Sequence, residues 1–290
     1  MTITLAEVRR WRDYVYHRSA ERRLTNPEQA VAFVNEVGFC FFWPIEGVEL
    51  PSLWAAVAGD RPVPNEHDDP GHVTWGWKDQ LLSQHRWFYA KLLRRRATMV
   101  SLDVLPDFYA LSENYGDPQD YLLEYQAGTL TAEAKAIYEA LLEKGPLDSV
   151  SLRREARMAS RDSKGRFERG LTELQIGLKA LPVGVAEAGA WNYAYVYDLV
   201  VRWWPDLPER ARPIGRGQAR RALVRRYLES VGAAAPTQVA RLFGWPQPDV
   251  DRALAHLADE GAITPGVTIE GLRGEHVAVP QLVLSSQPVS

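Results

Sequence analysis

Trp75, Trp77, Lys78 and Asp79 stand close together in the chain and combine stacking surface with a base and an acid. Aromatic platforms of this kind hold flipped or single-stranded nucleobases, and a neighbouring carboxylate can serve hydrolysis there. Core packing is the competing reading of the tryptophans. Glu46 and Glu49 follow an aromatic run, GFCFFWPI, that ends in Trp43-Pro44-Ile45, and either can supply a carboxylate; the plainer reading is two loop acids. Glu66, His67, Asp68, Asp69 and His72 are metal-ligand types, but their spacing fits no helical ligand pair, so a solvated loop without metal is expected. Ser83, His85 and Asp79 form no credible triad. GRG at 215–217 is too short to be a phosphate loop.

Bases gather in three places. From Ser151 to Gly170 there are seven (Arg153, Arg154, Arg157, Arg161, Lys164, Arg166, Arg169) against three acids. A second group is Arg216, Arg220, Arg221, Arg225 and Arg226, and a third is Lys91, Arg94, Arg95 and Arg96. Such clusters can meet phosphates, or can be solvated helix faces. The whole chain of 290 residues carries a formal charge of −3, which excludes a uniformly basic coat. A single cysteine, Cys40, excludes a disulfide framework and a cysteine-rich zinc site. No apolar run approaches the roughly 18–20 residues of a membrane helix, and no signal core opens the chain, so a cytoplasmic protein is expected.

The elements that must position these groups are mostly helices. Leu5, Val8, Trp11 and Val15 predict a helix over 5–18, and Asn26-Pro27 opens another that Gly38 ends. GFCFFWPI reads as buried, in strand or loop. Pro51 starts a short helix, and 59–74 is a polar loop. Residues 77–97 read as one long helix whose basic end suits the helix dipole. From Thr129 the spacing gives three helices, the second over about 149–158 and the third over about 163–179, then a hairpin with arms at 180–186 and 191–200 around a turn at 187–190. Trp191, Tyr193, Tyr195 and Tyr197 alternate along the return arm. A second set follows: a helix over 218–231, a short one over 237–243, a turn at Gly244, a third helix over 249–260, and a wing. The final residues, SSQPVS, read as a loose tail.

The fold class is therefore mainly α with small β wings (α+β), built of tandem winged helix-turn-helix domains. The boundaries are 1–128 for a helical, winged-helix-like front, 129–212 for a winged helix with a basic face, and 213–290 for a C-terminal one. In a winged helix the third helix lies in the DNA major groove. In the first set this helix shows Arg166, Arg169, Glu173 and Gln175 to solvent, with Arg153, Arg154 and Arg157 on the helix before it. In the second it carries Asp249, Asp251, Asp259 and Glu260 against Arg252, which phosphates repel. The first is thus expected to contact nucleic acid and the second to pack or brace. A protein-binding scaffold is the alternative.

GPLDSVSLRREAR, the helix after it, GAWNYAYVYDLVVRWWPD and ARRALVRRYLESVGAAAPTQVARLFG resemble, in that order, segments of the AlkZ/YcaQ family of winged-helix DNA glycosylases, and AVAFVNEVGFCFFWPI sits where the family has its first winged helix. The resemblance spans roughly residues 25–265. It implies a basic concave DNA surface and repair of alkylated or crosslinked bases in double-stranded DNA, without a cofactor. The family's catalytic motif, Gln-x-Gln or Gln-x-Asp, follows a glycine at the end of a front helix; counted from Gly38 its two positions fall on Phe41 and Trp43, which cannot polarise water. An enzyme would then need Glu46 or Asp79 as its carboxylate, with Trp43, Trp75 and Trp77 lining a base pocket. Arg153, Arg154, Arg157, Lys164, Arg166, Arg169, Arg94 and Arg95 would bind phosphates. A non-enzymatic DNA-binding regulator is the other reading.

Overall fold

The computed structural model describes residues 1–189 and 191–285. Of the expected turn at 187–190, residue 190 lies outside the described residues. So do 286–290 of the expected tail, whose first residue, Ser285, ends a helix. No described helix is long and apolar enough to cross a membrane.

A strand β1 (Thr2–Ile3) and a helix α1 (Leu5–Val15) open the chain. Then comes a unit of α2 (Pro27–Val37), β2 (Phe39–Phe41), α3 (Leu53–Ala58), α4 (Val73–Leu82), β3 (Phe88–Lys91) and β4 (Ala97–Val100), with the sheet ordered β2-β4-β3. Asn26 caps α2 by accepting the Gln29 N–H, Pro27 fills the first turn, and Gly38 ends it at φ 81°, a conformation that costs glycine little. Two short helices, α5 (Leu105–Tyr109) and α6 (Asp120–Gln126), lead to the second unit. It has α7 (Ala132–Lys144), β5 (Leu147–Asp148), α8 (Ser149–Glu155), α9 (Lys164–Ile176), β6 (Ala180–Ala186) and β7 (Ala194–Leu199), with the sheet ordered β5-β7-β6. After α10 (Val200–Trp203) and α11 (Leu207–Ala211) the third unit runs α12 (Arg216–Val231), β8 (Ala233–Ala234), α13 (Pro236–Phe243), α14 (Gln247–Asp259), β9 (Thr264–Ile269) and β10 (His276–Ala278), and α15 (Pro280–Ser285) follows. The order helix, short strand, two helices, hairpin thus occurs three times, the front included.

The front differs from expectation in one element. The single helix expected over 77–97 is α4 followed by the β3–β4 hairpin, with Phe88 opposite Val100 and Lys91 opposite Ala97. Both faces of β3 are covered: Phe88 and Ala90 enter the largest core, and Tyr89 enters the core of the first unit. A strand buried on both faces reads as a continuous apolar run, and periodicity cannot separate it from a buried helix. The same holds for β2, where Phe39 and Phe41 face one core and Cys40 the other. The basic residues Arg94 and Arg95 are therefore not at a helix end. They form the tip of the hairpin, in left-handed backbone at φ 54° and 58°.

The largest core is shared between units. β1 joins the third unit's sheet, parallel to β9. Helix α1 packs on α12: the Trp11 indole donates to the Glu229 carbonyl at 3.0 Å, and the Arg12 guanidinium donates to the carbonyls of Val231 and Ala233 at 3.0 and 3.2 Å. Each large side chain buried there contributes about 1.5–3 kcal/mol, so the first fifteen residues are part of the third unit's packing.

Candidate functional site

Helix α4 carries Trp75, Lys78 and Asp79 towards the β6–β7 hairpin of the second unit. Lys78 is fully buried. Its ammonium is 2.7 Å from Asp79 Oδ1 and donates to the hydroxyls of Tyr193, at 3.2 Å, and Tyr195. The Tyr193 hydroxyl in turn donates to Asp79 Oδ1 at 2.9 Å. Rings enclose Nζ: Tyr195 and Trp75 at 4.5 and 4.6 Å from their centroids, then Tyr89 and Phe42 at 5.6 and 5.7 Å. Burial pulls the Lys78 pKa down from the usual lysine value, and the Asp79 carboxylate opposes that shift. Burial pushes Tyr89 up to about 12 and raises Tyr193 and Tyr195 further. The phenols are therefore neutral donors at ordinary pH.

The cluster opens to solvent beside Trp75, which is 43% exposed. Trp43 lies next to it, with ring centroids 6.5 Å apart, and against His72 edge-on at 5.4 Å and Trp54 at 6.2 Å. The indole nitrogen of Trp54 and Nε2 of His72 are buried without a hydrogen-bond partner. An unmet buried polar group costs about 1–3 kcal/mol, so these walls hold unspent hydrogen-bonding capacity. His72 thus serves the aromatic wall. Asp69, of the same loop, accepts the Gly71 N–H at 2.7 Å and pairs with Arg61 at 2.6 Å. Among the described residues no group of three or more His, Cys, Asp or Glu could hold a metal ion.

Of the other residues singled out for the pocket, Trp77 is buried in the first unit's core with Leu81 and Trp87. Phe41 is wholly buried in the largest core. Glu46 is exposed on the tight turn between Ile45 and Val48, and Glu49 pairs with Arg12 at 3.0 Å.

A groove runs where the three units meet. One cavity of about 570 Å³ has an apolar floor including Phe108, Leu178 and Phe243 and a basic rim of Arg94, Arg95 and Arg241. A second, of about 760 Å³, shares Arg95 and Ile176 with it and adds Lys91, Arg166 and Arg169 together with the carboxylates of Glu133, Glu168 and Glu173. Two basic clusters far apart in sequence therefore border adjoining cavities. The strained tip is held from behind: Thr98 Oγ1, fully buried, accepts the Leu93 N–H at 3.1 Å and donates to the Arg96 carbonyl at 2.8 Å. Arg94 also donates to the Arg241 carbonyl of the third unit at 3.2 Å.

The remaining bases differ in their freedom. Arg153 turns back to donate to the carbonyls of Met158 and Ser160 at 3.2 and 2.9 Å, closing the turn after α8. Arg154, Arg157 and Lys164 are exposed. Arg166 lies 3.4 Å from Glu133, both partly open to solvent. The Arg216–Arg226 group is largely matched by acids: Arg220 pairs with Asp249 at 2.8 Å and Arg225 with Glu260 at 2.7 Å. Asp249 of α14 and Glu260 just after it thus brace α12. Sequence reasoning missed Tyr193 and Tyr195 as partners of Lys78, although their alternation had already placed them on one face.

The family model described as AlkZ related matches residues 24–244. The chain belongs to the AlkZ-related family. The DNA glycosylase AlkZ of Streptomyces sahachiroi shares its fold at a TM-score of 0.62 and 12% sequence identity, covering 98% of this chain and 72% of that one. No curated protein matches the chain. In this AlkZ-related chain the position that the resemblance assigns to the second catalytic glutamine or aspartate, Trp43, falls in the aromatic wall beside Trp75.

Proposed function

We propose that this AlkZ-related protein binds duplex DNA across the groove between three winged-helix units and hydrolyses the N-glycosidic bond of a damaged base held against Trp43 and Trp75. Phosphates are met by Arg94, Arg95, Arg166 and Arg169, with Lys164, Arg154 and Arg157 along the same unit. The observation that carries this reading is the convergence of Arg95 and Arg169 on one cavity from two different units. Aimed backbone phosphate contacts position a duplex and make binding salt-dependent.

Asp79 takes the place of the family's glutamine or aspartate. Tyr193 and Lys78 hold one oxygen of its carboxylate, which fixes the group's orientation. The carboxylate then activates water for attack at C1′, or stabilises positive charge on the sugar as the base departs. Glu46 is not required in this account, and Trp77 acts by packing.

The test is incubation with a duplex carrying 7-methylguanine, scored for abasic sites, with binding read by gel shift in the same samples. Abasic product supports excision. Binding without product leaves the non-enzymatic regulator as the function, and absence of binding overturns the DNA reading altogether.

A further inference from the structure

We propose that Lys78 is also an amine nucleophile towards the aldehyde of an abasic deoxyribose, giving the same pocket a strand-cleaving lyase activity; this rests on the DNA-binding reading above.

Lys78 and Lys179 are both buried, and their surroundings differ. Lys179 is 2.6 Å from the Glu124 carboxylate and donates to the Glu113 carbonyl at 3.5 Å, so it ties α6 and the loop before it to the end of α9. Lys78 shares its carboxylate with a phenol, and its other polar partners are neutral hydroxyls. Lys78 itself is fully buried, and the ring that covers Nζ at the solvent edge of the cluster is Trp75, whose centroid is 4.6 Å away and which is 43% exposed. The second side chain at that edge, Tyr193, lies outside the strand ladder, whose pairing ends at Ala186 opposite Ala194. Its hydroxyl bonds to Lys78 and Asp79, so a sugar that reaches Nζ takes the place of that hydroxyl and breaks no ladder bond. A sugar entering past Trp75 and Tyr193 meets Nζ and Asp79 together. Burial favours the neutral amine, which is the nucleophilic form.

The step balances without a further reagent. Asp79 accepts a proton from the ammonium, and the freed lone pair adds to C1′ of the open-chain sugar. The carbinolamine hydroxyl takes the proton back and leaves as water, so an imine joins Nζ to C1′. The Asp79 carboxylate, ionised again, takes a proton from C2′; the electron pair of that C–H bond forms the C2′–C3′ double bond, and the C3′–O bond breaks with the phosphate as leaving group. Water hydrolyses the imine and restores Lys78.

The experiment uses the full chain and a duplex with a preformed abasic site, so base release is not needed. Sodium borohydride, which reduces an imine to a stable amine, is added during incubation. The expected result is a covalent protein–DNA adduct on a denaturing gel, mapped by peptide mass spectrometry to Lys78, with strand cleavage in the unreduced sample and loss of both in Lys78→Gln. Because mapping is done on the unaltered protein, the outcome stands even if Lys78→Gln fails to fold. Binding without an adduct, or an adduct mapped to another amine, overturns the lyase proposal alone. Failure to bind the duplex overturns both readings.

Discussion

The hydroxyl of Tyr193 donates to Asp79 Oδ1 at 2.9 Å, joining side chains 114 residues apart. This bond links α4 of the first unit to the β6–β7 hairpin of the second, and it aims a carboxylate that the sequence alone offers as one acid among many. Lys78 holds the same oxygen from below. The relationship separates the two carboxylates considered for hydrolysis, since Glu46 is exposed on its turn.

Asp79→Asn is expected to abolish base release from 7-methylguanine duplex while the gel shift persists, and Glu46→Gln to leave both unchanged. Scoring abasic sites with the two variants side by side checks this. Full activity of Asp79→Asn would remove the carboxylate from the account.

Thr98→Val tests the strained hairpin tip. The left-handed backbone of Arg94 and Arg95 costs roughly 1–2 kcal/mol per residue, and Thr98 holds the tip through its two hydrogen bonds. Their loss should lower stability by about 1–3 kcal/mol in urea unfolding and weaken DNA binding as the arginines lose their fixed position. Unchanged affinity would mean that the tip does not act in binding.

Arg153 should behave as a structural residue. Its guanidinium closes the turn after α8 through the backbone carbonyls of Met158, Ala159 and Ser160. Arg153→Ala is expected to cost about 1–2 kcal/mol of stability while leaving the salt dependence of DNA binding in place, to be read by unfolding and by titration at several salt concentrations.

Asp107 sets a pH dependence. Burial pushes its pKa up to about 6 from 3.8, so between these values the folded state binds more protons than the unfolded chain. Its contribution to stability is then present at low pH and is lost as pH rises through about 6. Because the residue is only partly buried, the loss is on the order of 1 kcal/mol. Between pH 4.5 and 6.5 the stability of Asp107→Asn in urea unfolding should fall less, or rise more, than that of the unaltered protein, and identical pH profiles would remove Asp107 from the pH dependence.

Long amphipathic helices were legible because one face alone is buried: α2, α7, α9 and α12 fall within a few residues of the spans their spacing predicts. The β3–β4 hairpin was not, because Phe88, Tyr89 and Ala90 are all buried and leave no polar beat. Nothing local told that β1 and α1 would join the third unit, which depends on the Trp11 and Arg12 contacts more than 200 residues away. At the candidate site, residue type pointed to Trp43, Trp75 and Asp79, which the fold brings near one another. It could not give the direction of Trp77, nor say that Arg220 and Arg225 would meet Asp249 and Glu260, since both are outcomes of tertiary packing.

Arg95 and Arg169, from different units, are proposed to serve one DNA surface. The most direct measurement is the affinity for duplex DNA across a salt series, for the unaltered protein and for the double variant Arg95→Glu/Arg169→Glu. Log affinity is expected to fall linearly with log salt, and the slope to shrink by about two in the variant, roughly one per lost phosphate contact. A slope that the variant leaves unchanged, or no slope in either protein, would contradict it.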